Sequence, residues 1–226
     1  MIYLQRILTQ TAIGLTLVGG TSCHCDHVDE PTTPFKVGHV LCTDGTVLSL
    51  CDYVKSTKDA IGIVFHVNQP SEDSSDKDIL GYAVYIHETD PVAFAESCGI
   101  AQGTSTSLSE LDGNSNTYAI YSTSEVESPM ADLVFDLWTY GQSAYIPSVA
   151  ELRLLYNNRD FVNERIIAVG GEPVSNDFEN CWLWSSTEVK DQEADKAWLF
   201  SMNYGDIQET PKHQDHQVRP VIAIRK

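Results

Sequence analysis

Near the end of the chain, Lys212-His213-Gln214-Asp215-His216 places four titratable side chains within five residues. Such a run could contact a polar ligand or a metal ion, and it also describes a solvated turn ahead of a final strand. It lies in the last of three segments, 172–180, 188–195 and 204–217, that read as loops between late strands. Ligands meet such loops because loops vary without disturbing the core. Tyr204, Asp206, Lys212, His213 and His216 therefore form the candidate ligand-binding set. An aromatic plate beside hydrogen-bonding groups suits a sugar or a polar protein surface better than an apolar cofactor.

Catalytic constellations are missing. The sequence has no G-x-S-x-G elbow, no H-E-x-x-H pair and no phosphate loop. Of the six cysteines, Cys98 and Cys181 are the ones beyond the N-terminal quarter. Their neighbours, Glu96 and Glu179-Asn180, would not favour a thiolate, so both read as buried, inert thiols. No C-x-x-C pair is present, and His24, Cys25 and His27 form a soft-metal grouping more simply read as incidental in a flexible segment. The expectation is no enzyme and no cofactor.

The N-terminus carries its own chemistry. Arg6 is the sole charge before Asp26, and Ile7 to Gly20 is mostly apolar: a positive n-region and an h-region too short to span a bilayer. Gly20-Thr21-Ser22 puts small residues directly before Cys23, a degenerate form of a bacterial lipobox. Residues 1–22 are expected to be a lipoprotein signal peptide, with Cys23 the lipidated residue and the anchor the chain's contact with the membrane. Residues 23–36, with Asp26, Asp29, Glu30, Pro31 and Pro34, read as an acidic flexible tether, and 37–226 as one globular domain. Acidic residues just after the cysteine resemble the export signal of some surface-facing Gram-negative lipoproteins. The expected location is the outer membrane, lipid-anchored and surface-exposed.

The net charge of −18 makes nucleic acid and anionic lipid surfaces poor partners. A chain of 226 residues, 42% of them hydrophobic, can build a real core. Asp44-Gly45 between β-prone runs predicts a two-residue hairpin turn, with Cys42 opposite Val47 and no Cys42–Cys51 disulfide. Ile61 to Val67 and Gly81 to His87 read as buried strands, with a polar loop at 68–78 between them. Pro91 to Cys98 reads as a short helix, 101–117 as loop and Tyr118 to Tyr121 as a short strand.

Three helices are then expected. The first is capped by Ser128 with Pro129 at its first position and is closed by Gly141. Met130, Leu133, Val134, Leu137 and Trp138 make its apolar stripe. Ser148 and Glu151 form a capping box for the second, and the third runs from about Asp160 to Gly170-Gly171. Strands return at Trp182 to Ser186, Ala197 to Asn203 and Val218 to Ile224, with Pro220 pointing to an edge or a bulge. The class is α+β, a mainly antiparallel sheet with mid-chain helices.

Ala144-Tyr145-Ile146-Pro147-Ser148-Val149-Ala150-Glu151-Leu152 resembles a W-x-L-P-S-x-x-E-L signature. Trp184-Ser185-Ser186-Thr187, Ala197-Trp198 and Val218-Arg219-Pro220-Val221 follow in order. Together they resemble the Lcl C-terminal domain family over about residues 142–225. Ala144-Tyr145 departs from the family's frequent Gly-Trp.

The resemblance implies a C-type-lectin-like fold related to sulfatase-modifying-factor domains, and a binding module in a bacterial surface lipoprotein. It also implies that Trp184 and Trp198 are core. The carboxylates and amides of calcium lectins have counterparts in Glu172 and Asn176-Asp177, but the Trp-Asn-Asp strand is missing, so calcium is not expected. The function expected is adhesion or capture of a glycan or protein ligand, the alternative a structural or accessory subunit of a pilus-like appendage that binds other proteins.

Overall fold

The computed structural model describes residues 35–69, 78–137 and 144–225. Cys23, the signal segment, His24, Cys25, His27, most of the 68–78 loop, Trp138 and Gly141 lie outside them. The architecture is α+β, and every pairing between its strands is antiparallel.

In chain order the elements are β1 (Val40–Cys42), β2 (Val47–Leu48), α1 (Leu50–Lys55), β3 (Ala60–Val67), β4 (Ile79–Tyr85), β5 (Val92–Ala93), α2 (Gly113–Ser122), α3 (Pro129–Phe135), β6 (Ala144–Tyr145), α4 (Val149–Ala168), β7 (Trp182–Glu188), β8 (Lys196–Ser201), β9 (Ile207–Pro211), β10 (Asp215–His216) and β11 (Val221–Arg225). They build a six-stranded sheet in the order β2-β1-β3-β4-β11-β6, a three-stranded sheet β7-β8-β9, and the pair β10-β5.

The long runs β3 and β4 are apolar almost without alternation because both faces of the large sheet are covered. Ile63, Phe65, Val84 and Val221 face α4, whose Leu152, Leu155, Val162 and Ile166 are all buried with them. Leu41, Val64, Ala83 and Ile222 face the opposite way, into a layer holding Ile120, Met130, Val134, Phe94 and Trp184. A register shift between Val64 and His66 marks a bulge in β3.

Several local expectations give way to tertiary demands. The hairpin loop has three residues. Leu41 pairs with Val47, Cys42 N donates to Thr46 O (2.8 Å) and Gly45 N donates to Cys42 O (2.9 Å). Gly45, at φ +84°, takes the left-handed position that closes such a loop. Cys51 does not continue the strand. Ser49 caps α1 by accepting from Asp52 N, and Cys42 and Cys51 are both free thiols.

Segment 91–98 is not a helix. Its amides bond outward instead, Ala95 N to Lys212 O and Glu96 N to Glu127 O. Tyr118–Tyr121 belongs to α2, not to a strand, because Gly113, Asn116, Thr117 and Ile120 recur at helical spacing and are buried together.

The helices expected at 148–156 and 160–170 are one, α4, since nothing between them breaks a helix. Gly170 at φ +83° stops it, with Gly171 N donating to Ile166 O as in a Schellman close. Pro220 does not lie in an edge strand: β11 is internal, between β4 and β6. The proline immediately precedes it, and its carbonyl accepts from Tyr85 N (2.9 Å). The segment expected to be a loop, 204–217, contains β9 and β10.

Candidate functional site

The five-residue candidate set does not converge. Tyr204 and Asp206 sit in the β8–β9 turn, where Phe200 pairs with Ile207; Lys212 and His213 follow the far end of β9, where Lys196 pairs with Pro211. The five residues of β9 separate the two groups by roughly 15 Å at strand rise. Alternating backbone, invisible in a run read as loop, is the reason.

At the Tyr204 end the turn is tied by Ser201. Its hydroxyl accepts from Asn203 N (3.3 Å) and Tyr204 N (3.2 Å), while Ser201 N donates to Asp206 O (2.8 Å). The tie holds the Tyr204 ring 54% exposed, edge-on to Phe178, which is 72% exposed; their centroids are 6.5 Å apart at 80°. Asp177, Glu179 and Asp206 adjoin the pair in sequence. Two exposed aromatic rings set edge-on, with carboxylates beside them in sequence, form an amphipathic face, of the kind that anchors a protein partner or stacks on a sugar ring. Phe178 was not in the expected set; its signal was one large apolar residue inside the polar run Asn176-Asp177-Phe178-Glu179-Asn180.

At the other end, Lys212 is fully buried and pairs with fully buried Glu188. The ammonium also donates to Ile100 O (3.0 Å) and Gln102 Oε1 (3.3 Å), and it stands 5.1 Å from the Phe94 ring centroid. The carboxylate accepts from Gln102 N (2.7 Å), Thr104 N (3.1 Å) and Thr104 Oγ1 (3.0 Å). Lys212 therefore cannot be a surface contact residue; it staples loop 100–104 to the small sheet. Burial lowers its pKa while Glu188 holds it up.

His216 is half-buried, edge-on to Trp184 at 5.3 Å, with its pKa lowered by that burial. His213 is exposed, with Nδ1 3.2 Å from Cys98 Sγ. Cys98 is only half-buried, which corrects its reading as a buried thiol, whereas Cys181 is buried.

The remaining named residues are scaffold. Trp184 is fully buried, and its indole N–H donates to Val92 O (3.0 Å); Trp198 is half-buried on β8. Ser148 and Glu151 complete their capping box. The Ser148 hydroxyl accepts from Glu151 N (3.3 Å), and Glu151 Oε2 accepts from Ser148 N (2.7 Å). Tyr145 OH donates to Glu151 Oε1 (2.9 Å). Burial pushes the Glu151 carboxyl up to about 7 against these hydrogen bonds.

Arg219 is buried to 2% exposure. Its Nε donates to Tyr85 O (2.9 Å) and Nη2 to Glu172 O, while Nη1 has no partner. It lines a shallow, open depression with Glu88, Ser175 and Gln217. Glu172, a residue considered for calcium, accepts from Glu88 N (2.9 Å). Among the described residues no group of three or more His, Cys, Asp or Glu side chains is placed to hold a metal ion. Nor is any of their helices long and apolar enough to cross a membrane.

The arrangement defines an α+β domain with an antiparallel core and a small sheet that presents an aromatic turn. No family model matches the chain, and no curated protein matches it. Among solved structures it is similar to a fimbrial protein from Bacteroides ovatus, with a TM-score of 0.66 and 17% identity over 84% of this chain. The match covers 49% of that protein, so this chain spans about half its length.

Proposed function

We propose that this chain is a non-enzymatic, lipid-anchored cell-surface module that serves as an accessory subunit of a pilus-like appendage. The observation that carries the reading is the likeness in fold to a fimbrial protein over 84% of the chain. It is an argument from fold, and function resides in sites; the site here is the Phe178–Tyr204 face, which supplies the exposed aromatic anchors that protein interfaces favour. In this reading Cys23 carries the lipid, the anchor faces outward from the outer membrane, and nucleic acid is not a partner. If the chain is such a subunit, it co-fractionates with appendages sheared from cells, and Phe178→Ala/Tyr204→Ala leaves it behind on the cell. Full retention of the double variant in the sheared fraction counts against the face.

The second reading, glycan capture on a C-type-lectin-like domain of the Lcl C-terminal type, is favoured by one contact. The two stretches that resemble that family touch: Ser186 N donates to Pro147 O (2.9 Å) and Val149 N to Thr187 Oγ1 (3.3 Å). The L-P-S-x-x-E-L-like helix start and the W-S-S-T strand thus act as one unit, which supports the kinship. A glycan array with and without calcium separates the readings: saturable, competable sugar binding favours the second, and its absence the first.

A further inference from the structure

Loop 95–99 meets the base of the β8–β9 hairpin through two backbone hydrogen bonds, Ala95 N to Lys212 O (3.1 Å) and Gly99 N to Ala194 O (2.8 Å), and Lys212 N to Asp195 O (3.0 Å) closes that base. These ties fix Cys98 against His213, across 115 residues of sequence, with Sγ 3.2 Å from Nδ1 and 3.4 Å from Asp195 O. Cys98 thus has an imidazole at hydrogen-bond distance and is itself only half-buried, surroundings in which thiols react. The chain supplies its own comparison. Among the described residues Cys51, exposed on α1, makes no hydrogen bond to an imidazole, while Cys42 and Cys181 are buried.

We propose that Cys98 and His213 form a thiol–disulfide exchange site, at which Cys98 forms a mixed disulfide with a small neutral or cationic disulfide. With its proton on Nε2, the His213 ring offers the Nδ1 lone pair to the thiol. Nδ1 takes the thiol proton, and the Sγ thiolate attacks one sulfur of the disulfide. The bond from Sγ to that sulfur forms as the original S–S bond breaks, and the leaving thiolate takes the proton back from the imidazolium and departs as a thiol. The incoming disulfide is the sole oxidant, reduced by one thiol equivalent as Cys98 is oxidised. Exposed Glu96 and the net charge of −18 disfavour an anionic disulfide.

The test treats the full-length chain with sub-stoichiometric 4,4′-dithiodipyridine, a neutral disulfide, and reads each cysteine by peptide mapping over time. Cys98 should be labelled about tenfold or more faster than Cys51, the order of gain a positioned base supplies. His213→Ala should bring Cys98 down to the Cys51 rate while Cys51 is unchanged, and cationic cystamine should outpace oxidised glutathione at Cys98. His213→Gln provides a second variant, and an unchanged circular dichroism spectrum shows that either is folded. Equal rates at Cys98 and Cys51 in the wild type, or a Cys98 rate that does not respond to either substitution, overturns the proposal.

Discussion

Replacing Lys212 by Met separates a buried staple from a surface contact. The methionine keeps most of the stem's volume and removes the charge. Glu188 is then left at 0% exposure with its carboxylate facing Gln102 N, Thr104 N and the Thr104 hydroxyl, and with no cation. Ile100 O and Gln102 Oε1 lose their shared donor.

Breaking a buried pair by removing one partner costs about 3–5 kcal/mol, because the other charge stays behind uncompensated. For a domain of this size each kcal/mol moves Tm by roughly 2–4 °C, so the expected fall is roughly 6–20 °C by scanning calorimetry. Were Lys212 an exposed contact residue, the change would stay within about 0.5 kcal/mol, or roughly 2 °C. Lys212→Met/Glu188→Gln should be less destabilised than the sum of the two single changes, since no charge is then stranded. A Tm within about 2 °C of wild type for Lys212→Met would refute the staple.

Four further outcomes are expected. Glu151 binds its proton more tightly folded, at about 7, than at its ordinary 4.5, so its contribution to stability is greatest below pH 4.5 and declines as pH rises through 7. The decline should approach about 3 kcal/mol, and Glu151→Gln, which can still cap α4, should flatten that part of a denaturation-versus-pH curve; an unaltered slope would sink the assignment. Ser148→Ala should cost about 2 kcal/mol in urea denaturation, the upper end for a cap, because the fully buried hydroxyl also donates to Glu110 O; no loss contradicts it. Phe178→Ala/Tyr204→Ala should leave stability within about 1 kcal/mol, both rings being exposed, and a larger loss would make the pair structural. Cys23→Ala should move the protein out of the membrane fraction, and unchanged fractionation and processing would remove the lipid anchor.

The sequence carried what local rules encode. Ser148 and Glu151, three residues apart ahead of an apolar run, cap α4 as expected, and Ser128-Pro129 opens α3. The apolar runs lie in β3 (Ala60–Val67) and β4, which starts two residues earlier than expected and ends at Tyr85 (Ile79–Tyr85), because a doubly covered sheet needs continuous hydrophobicity. Where the chain's partner lay far away, the same rules failed. Val92 and Ala93 are extended because His216 and Asp215 pair with them. Lys212 looked like a solvated charge because Glu188 is 24 residues upstream, and Cys98 looked inert because its flanking residues are acidic while His213 is 115 residues away. The aromatic site was half legible: Tyr204 stood out in a polar turn, but only the fold brings Phe178 against it.

Immunogold electron microscopy of the epitope-tagged protein on intact cells tests the appendage reading most directly. The label should lie on or at the base of surface filaments, and the tagged Cys23→Ala protein should lose that position. Label spread evenly over the envelope with no filament association, or found only after the outer membrane is permeabilised, would contradict it.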